Sequence, residues 1–547
     1  MNSEKLAAID LGTNSFHLVV VRVLENGKIE IIADEKEAVR LGSGGGDLGL
    51  IAEDAMQRGL ATLDRFVKIA RSHDARIRAV ATSAVREARN KKNFLNLVRK
   101  KLGLDIEVIQ GTEEARLIYL GILQALPLYE KKILIVDIGG GSTEILIGTA
   151  GQPNYAVSRK LGAIRLKDRF FADEPLKPAD VEKCRNMIRV DLSGVVEDLH
   201  EIGFEIAVGS SGTAETLATM ATHLASDSES EAQTAADEDE AQGSALNSNG
   251  SDLADVRLTR AGLDRVVEKI VSVPTHHRRA KLSGLDEKRA DIIVGGAILL
   301  QEIFDLLNIQ EMLISPYALR EGVVADTVAR RSGGRSVTPD IRRNSVRQLA
   351  DHMLGRDTQE NRSAWHTATL AVRILDQLAA QGVIQSDALE LNDSLLLEVA
   401  GVLHNLGLQI AHSGHHKHSY YIIKNTDALL GFTRNEIEVI AQTARYHRKA
   451  LPSSKHSEYT ALTPELQERV KLFSAILRIA VGLDRGNKQS VENLTIELDG
   501  DSLIFQLTPR HDFPARPRDL SLERWAAEAR ADALKKVLGK SIVFREA

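Results

Sequence analysis

A single cysteine, Cys184, stands in the 547-residue chain, so no disulfide framework can form within it. It falls on a helical stripe with Val181, Ile188 and Leu192, which reads as core packing in a reducing compartment. No apolar run approaches the roughly twenty residues needed to span a membrane. The opening residues, MNSEK, lead straight into a strand pattern with no secretory signal, so a cytoplasmic setting is expected. Residues 225–256 lack Lys and Arg altogether and hold nine Asp or Glu among Ser, Ala, Gln and Asn. Such a composition cannot bury enough surface to order itself and reads as a disordered acidic insertion. With those nine set aside from the net charge of −6, the remainder stands at +3, compatible with anionic ligands. Neither nucleic acid nor a membrane is indicated as a partner.

What the chain does contain is centred on residues 132–148, KILIVDIGGGSTEILIG. A continuous apolar run reads as a buried strand ending at Asp137, followed by three glycines, two hydroxyls and a second apolar strand. Gly139, Gly140 and Gly141 let the backbone turn tightly and bring N–H groups against an anion. Ser142 and Thr143 add hydroxyl donors, and Asp137 and Glu144 supply the hard oxygens that magnesium prefers. Alone, the pattern is equally a tight β-turn. Residues 6–21, LAAIDLGTNSFHLVVV, repeat the scheme, with Asp10 at the strand end, then Gly12, Thr13, Asn14 and Ser15. Two matching hairpins suggest a phosphate chain gripped from both sides of a cleft.

Strand and helix patterns alternate through residue 332, which indicates an α/β architecture in two related halves. The lobes are expected at 1–127 and 128–332. A helix opens at GTEEARLIYL, with Thr112 as candidate N-cap. Another opens at Ser211-Gly212-Thr213, where an anion site competes with plain helix capping. Residues 332–336, SGGRS, read as a linker. Helical stripes follow over 333–490, and 491–547 reads as a small C-terminal α/β module with a hairpin around Asp499-Gly500 and a helix over 522–538.

Together, DLGTNS from Asp10, Arg86, GTEEAR from Gly111, DIGGGSTE from Asp137, GSSGT from Gly209 and ALREG from Ala318 resemble the exopolyphosphatase / guanosine pentaphosphate phosphatase (Ppx/GppA) family. The resemblance covers most of the chain. It implies two actin-like ATPase (ribonuclease H-like) lobes, an all-α HD-like domain and the small C-terminal module. It also implies Mg2+-dependent hydrolysis of a terminal phosphate from a phosphoanhydride chain. Exopolyphosphatase action on inorganic polyphosphate is the first expectation, and removal of the 5′ γ-phosphate of guanosine pentaphosphate (pppGpp) the alternative. An actin-fold kinase or ATPase, or a non-catalytic polyphosphate or alarmone sensor, are the readings from other classes. A homodimer is expected from the family's habit.

By the same resemblance Glu114 matches the catalytic carboxylate that deprotonates the attacking water, with Glu113 its close competitor as a first-turn glutamate. Asp137 and Glu144 are expected to hold the metal, with Asp10 as a ligand through water. Thr13, Asn14, Ser15, Arg86, the 139–143 loop and Ser211 to Thr213 are expected to bind phosphoryl oxygens. Arg320 and Glu321 read as a structural ion pair in a helix crossing between lobes. In the HD-like region His366, His404 and Asp484 stand in suggestive order, but Asn405 brings no charge to a dinuclear site and argues against a metal. His415, Lys417, His418, Arg445, Arg448 and Lys449 are expected to form a basic wall for a threading polyphosphate.

Overall fold

Short runs rich in Ile, Val and Leu, bounded by Gly, Asn or Asp, become strands because their branched side chains suit a pleated, buried surface. The computed structural model describes residues 4–24, 29–42, 49–234, 256–331, 341–384, 392–426, 428–512, 516–517 and 519–546. The chain divides into two compact units, residues 1–339 and 340–547. In the first, β1 (Lys5–Leu11), β2 (Phe16–Val23), β3 (Ile29–Glu37), β4 (Arg76–Ala81) and β5 (Ile106–Val108) form a sheet ordered β3-β2-β1-β4-β5. A second sheet is ordered β10-β11-β9-β6-β7-β8. It is built from β6 (Ile133–Ile138), β7 (Thr143–Thr149), β8 (Gln152–Arg159), β9 (Ile206–Ser210), β10 (Arg257–Thr259) and β11 (Glu311–Ile314).

The two sheets repeat one topology. β1 pairs antiparallel with β2 and parallel with β4, just as β6 pairs antiparallel with β7 and parallel with β9. Asp10 and Asp137 are the penultimate residues of β1 and β6. Their cross-strand partners are His17 and Glu144, so His17 occupies in one lobe the place of Glu144 in the other.

Helices α1 (Glu53–Ser72), α2 (Ser83–Glu87) and α3 (Lys91–Leu102) pack on the first sheet through Phe66, Val85 and Phe94. α4 (Gly111–Ala125) precedes the second lobe. There α5 (Ala163–Phe170), α6 (Pro178–Ile202), α7 (Ser211–Thr234), α8 (Arg260–Ser272), α9 (His276–Arg279) and α10 (Ile293–Leu306) surround the other sheet, and α11 (Leu319–Arg331) closes the unit. α4 and α11 cross between the sheets. Leu117, Ile122, Leu319 and Val323 share a core with Leu6 and Val19 on one side and Ile133 and Leu146 on the other. At the crossing the backbones touch. A Cβ on Gly121 would lie 2.0 Å from the Ala318 carbonyl oxygen, and one on Gly322 1.7 Å from that of Leu117, so both positions require glycine.

Helix α4 starts one residue before the expected Thr112 cap, with Gln110 in the N-cap place and no side-chain cap. α7 continues to Thr234, and residues 235–255 of the expected acidic insertion lie outside the described residues, as does the 332–336 linker.

The second unit begins with α12 (Ile341–Leu354), α13 (Gln359–Ala380), α14 (Asp393–Leu403), α15 (His415–Asn425), α16 (Arg434–Arg445), α17 (Ser457–Thr460) and α18 (Pro464–Leu483). β12 (Val491–Asp499), β13 (Ser502–Pro509), the short β14 (His511–Asp512) and β15 (Arg516–Pro517), α19 (Ser521–Glu528), α20 (Asp532–Leu538) and β16 (Ser541–Glu546) follow. The helix expected over 522–538 is thus two. β12, β13 and β16 form a sheet whose Leu494, Phe505 and Phe544 lie in one core with Leu397, Ile440 and Phe473 of the helices. Among the described residues no helix is long and apolar enough to cross a membrane.

Candidate functional site

The turns after β1 and β6 face each other. A Cβ on Gly140 would stand 3.2 Å from the Thr13 Cβ, and the Thr13 hydroxyl lies 2.8 Å from that of Ser83 at the start of α2. They border a cavity of about 290 Å3 lined by Asp10, Glu114 and Asp137 together with Thr13, Asn14, Ser15, Gly139, Gly140, Ser142, Ser211, Gly212 and Thr213. Twelve of the sixteen residues expected at the catalytic, metal and phosphate positions therefore meet in one place.

The cavity concentrates carboxyl groups. Burial, reinforced by Glu114, raises Asp10 from 3.8 to about 8, and Asp10 Oδ1 is shut from water with no hydrogen-bond partner among the described residues. Burial raises Asp137 from 3.8 to about 7, although Ser210 Oγ donates to Asp137 Oδ2. Glu144, 1% exposed, is pushed well up by burial and then by Glu114, against the hydrogen bond from Ser158 Oγ at 2.7 Å. Burial also raises Glu114, opposed by Arg86. Such a cluster calls for a cation, because buried like charges otherwise have to bind protons.

The two adjacent glutamates of α4 part company. Arg116, 1% exposed, donates through Nε and Nη2 to both oxygens of Glu113 at 2.8 and 2.7 Å, and through Nη2 to Asp326 of α11 at 2.7 Å. Arg78 Nη1 of β4 meets the other Asp326 oxygen at 2.7 Å. Glu113 is thereby turned into the crossing of α4 and α11, whereas Glu114 faces the cavity. Arg86 Nη1 donates to Glu114 Oε2 at 2.8 Å and to the Ile109 carbonyl at 3.1 Å.

Four expected contacts take other positions. Arg86 does not line the cavity; it stands behind Glu114. Glu144 likewise sits behind Asp137. Gly141 gives its carbonyl to Arg165 Nε at 3.0 Å. Thr143 is fully buried and donates to the Leu161 carbonyl at 2.6 Å, so its hydroxyl cannot reach a phosphate. At the third loop, Ser211 (φ 70°) and Thr213 both donate to the Ile138 carbonyl, at 2.9 and 3.0 Å. Their protons tie the helix start to β6, and the anion-binding capacity of that turn passes to its backbone.

Sequence reasoning missed the far wall, where His17, Lys36, Glu215, Arg289 and Arg320 line the same cavity. A Cβ on Gly212 would fall 1.7 Å from an Arg289 guanidinium nitrogen, so this glycine makes room for Arg289. Burial and Arg289 hold Lys36 below its usual range. Arg320 pairs with Asp34 at 2.6 Å and with Glu321 at 3.3 Å, the expected structural ion pair, now extended to β3. Matching the hairpin registers would have flagged His17; Lys36, Glu215 and Arg289 come from unrelated segments with no local signal.

In the second unit the expected basic wall is broken up. Lys417, Arg448 and Lys449 are exposed and His418 is half-buried. His415 is buried, stacked on His447 at 5.4 Å, and kept below its usual range by burial. Arg445 lies over Tyr420 at 5.0 Å and meets Glu458 at 3.5 Å, so its charge is covered from within. His404 rests edge-on to His447 at 4.9 Å, with Nδ1 on the Gly401 carbonyl, while Asp484 is held by Ser363 Oγ at 2.5 Å. Among the described residues no three His, Cys, Asp or Glu side chains converge tightly enough to enclose a metal ion by themselves. In the first unit the carboxyls still suit a divalent cation that keeps most of its waters and takes one or two carboxylates plus substrate oxygens. The partnerless Asp10 Oδ1 and the raised Asp137 fit that demand.

Two family profiles match the chain: the Ppx/GppA phosphatase family over residues 19–331, and Ppx/GppA phosphatase domain III over residues 341–526. A guanosine-5′-triphosphate,3′-diphosphate pyrophosphatase of Vibrio vulnificus (strain YJ016) is 30% identical over 527 residues, covering 95% of this chain and 96% of that protein. One from Vibrio parahaemolyticus serotype O3:K6 (strain RIMD 2210633) is 30% identical over 509 residues, 92% of each chain. Among solved structures, an exopolyphosphatase from Cytophaga hutchinsonii ATCC 33406 superposes with a TM-score of 0.52 at 29% identity, over 61% of this chain and 100% of that one.

Proposed function

The chain belongs to the Ppx/GppA phosphatase family and is a phosphoanhydride hydrolase, and we propose that its substrate is guanosine-5′-triphosphate,3′-diphosphate, from which it releases the terminal 5′ phosphate. The observation that carries this choice is the likeness to pyrophosphatases of that name along 95% of the chain. It reverses the order expected from the sequence, where inorganic polyphosphate came first. Polyphosphate remains the second reading, because the exopolyphosphatase structure covers 61% of this chain at 29% identity.

In this mechanism the substrate's terminal phosphate lies between the Thr13–Ser15 and Gly139–Ser142 turns, whose amides and hydroxyls bind its equatorial oxygens. A bound magnesium ion, held by Asp137 and Asp10, would neutralise charge on the phosphate chain, with the Glu144 carboxyl behind Asp137. Glu114 takes a proton from a water whose oxygen attacks the terminal phosphorus. The bridging P–O bond breaks, its electron pair leaving with the shortened nucleotide, and orthophosphate departs. The raised proton affinity of Glu114 suits a base, and Arg86 orients it and keeps it ionised enough to act. His17, Lys36 and Arg289 extend the cavity beyond the turns and suit the remainder of a phosphorylated nucleotide. A cytoplasmic homodimer is part of the proposal on the strength of the family resemblance.

Orthophosphate release from guanosine-5′-triphosphate,3′-diphosphate and from long-chain polyphosphate, assayed side by side with and without magnesium, tests the reading. A kcat/KM higher for polyphosphate would reverse the substrate order. Turnover undiminished by chelation would remove the metal, and undiminished turnover in E114Q would remove the base.

A further inference from the structure

We propose that Arg165 and Glu87 are positioning residues, an inter-lobe clasp that sets the Gly-rich turn of one lobe against the Arg86–Glu114 pair of the other; the inference rests on the hydrolase reading above. The first turn of α5 is docked on the Gly-rich turn. Ala163 N donates to the Gly139 carbonyl at 3.0 Å, Ile164 N to that of Gly140 at 2.9 Å, and Arg165 Nε to that of Gly141 at 3.0 Å. With three successive carbonyls engaged, amides are what this turn has left to offer an anion.

The same guanidinium reaches across the gap. Arg165 Nη2 donates to both oxygens of Glu87, at 3.1 and 3.2 Å. Glu87 is the last residue of α2 and directly follows Arg86, which grips Glu114. One unbroken path therefore runs from the Gly141 carbonyl through Arg165, Glu87 and Arg86 to the base. The Arg165 and Glu87 side chains are only 8% and 14% exposed, so solvent screens the pair little. Lys160 also approaches Glu87, at 3.0 Å, but is 73% exposed and adds little.

Neither lobe depends on the pair for its own core. Ala84 and Val85 anchor α2 in the first lobe, and Leu166 anchors α5 in the second. Among the other inter-lobe pairs, Arg40 with Asp291 at 3.1 Å is more exposed, and only the Arg40 backbone N–H, not its guanidinium, reaches a phosphate-binding turn, donating to the Asn14 carbonyl at 2.7 Å. What Arg165 and Glu87 determine is relative placement, to which catalysis is sensitive: an error of about 1 Å can reduce rate about a hundredfold.

The test uses the full chain, guanosine-5′-triphosphate,3′-diphosphate and polyphosphate, and the variants E87Q, R165Q, R165K and E87Q/R165Q. Because a single substitution strands a largely buried charge, the double variant, which removes both, separates folding from placement. The double variant is expected to keep the wild-type circular dichroism spectrum yet lose about tenfold or more in kcat, with KM changed less than about threefold. R165K keeps the charge but cannot bridge Gly141 and Glu87 with one planar fork, so it should resemble R165Q. Wild-type kcat in R165K or in the double variant, or a loss confined to KM, would overturn the clasp. A wild-type chain that turns over neither substrate would defeat the hydrolase reading and the clasp with it, whereas wild-type turnover left intact by these variants defeats the clasp alone.

Discussion

Magnesium should expel protons when it binds. In the folded chain burial lifts Asp10 to about 8 and Asp137 to about 7, from 3.8 in each case. At pH 7 the first is mostly protonated and the second about half, so a cation that demands their anions should release about one to two protons. Glu114 and Glu144 shift in the same direction, and the four carboxyls titrate as a group rather than singly. The sign for stability follows. A carboxyl whose folded value is raised favours the fold while protonated, so the metal-free protein loses stability as pH climbs from about 4 toward 8. For Asp137 alone, 7% exposed, the shift of about three units amounts to about 4 kcal/mol once both states are ionised. Calorimetric titration with magnesium at pH 7 in two buffers of different ionisation enthalpy reads the proton count directly. Melting of the chelated protein at pH 5 and pH 8 reads the stability slope. D137N should cut both. Proton-neutral binding, with magnesium affinity constant from pH 6 to 8, would refute the reasoning.

Other substitutions address the supports of the site. Arg116→Met leaves Glu113 and Asp326 short of a buried partner and should destabilise the first unit by about 3–5 kcal/mol, measured by denaturant unfolding. E114Q should lower kcat by about 10²–10⁴ without moving the melting temperature by more than a few degrees, read by phosphate release and calorimetry. Gly322→Ala, which places a methyl 1.7 Å from the Leu117 carbonyl oxygen, should cost about 1–3 kcal/mol and alter KM as well as kcat. Phe544→Ala should destabilise the second unit by about 3–5 kcal/mol, because β16 completes the core shared with the helices.

The hairpins were legible because their signal is local: a strand's apolar run, an aspartate at its end and a turn all lie within one short stretch. The choice between Glu113 and Glu114 was not local. Neighbouring residues on one helix point in different directions, and only Arg116 and Asp326, the latter on another helix, decide which faces the cavity. Thr143 was misplaced because its pattern fits a phosphate donor as well as a buried threonine, and the Leu161 carbonyl that claims it comes from a different strand's end. Lys36, Glu215 and Arg289 reach the cavity through tertiary closure alone. The C-terminal strands show ordinary alternation, which does not reveal that their inner face is roofed by α-helices rather than by a core of their own. His415 and Arg445 illustrate the same limit, since a run of basic residues says nothing about which of them a neighbouring ring will cover.

Main chain against main chain, α4 and α11 meet at Gly121 and Gly322 with no side chain between them. Beside that contact Arg116 of α4 donates to Asp326 of α11, so a buried ion pair holds the angle that bare backbone alone would leave free. The jaw opening of the two lobes is thus set by this crossing together with the pairs that span the gap, Arg165 with Glu87 and Arg40 with Asp291. With main chain touching main chain, a wedge as small as one methyl at the joint would be felt most at the jaw tips.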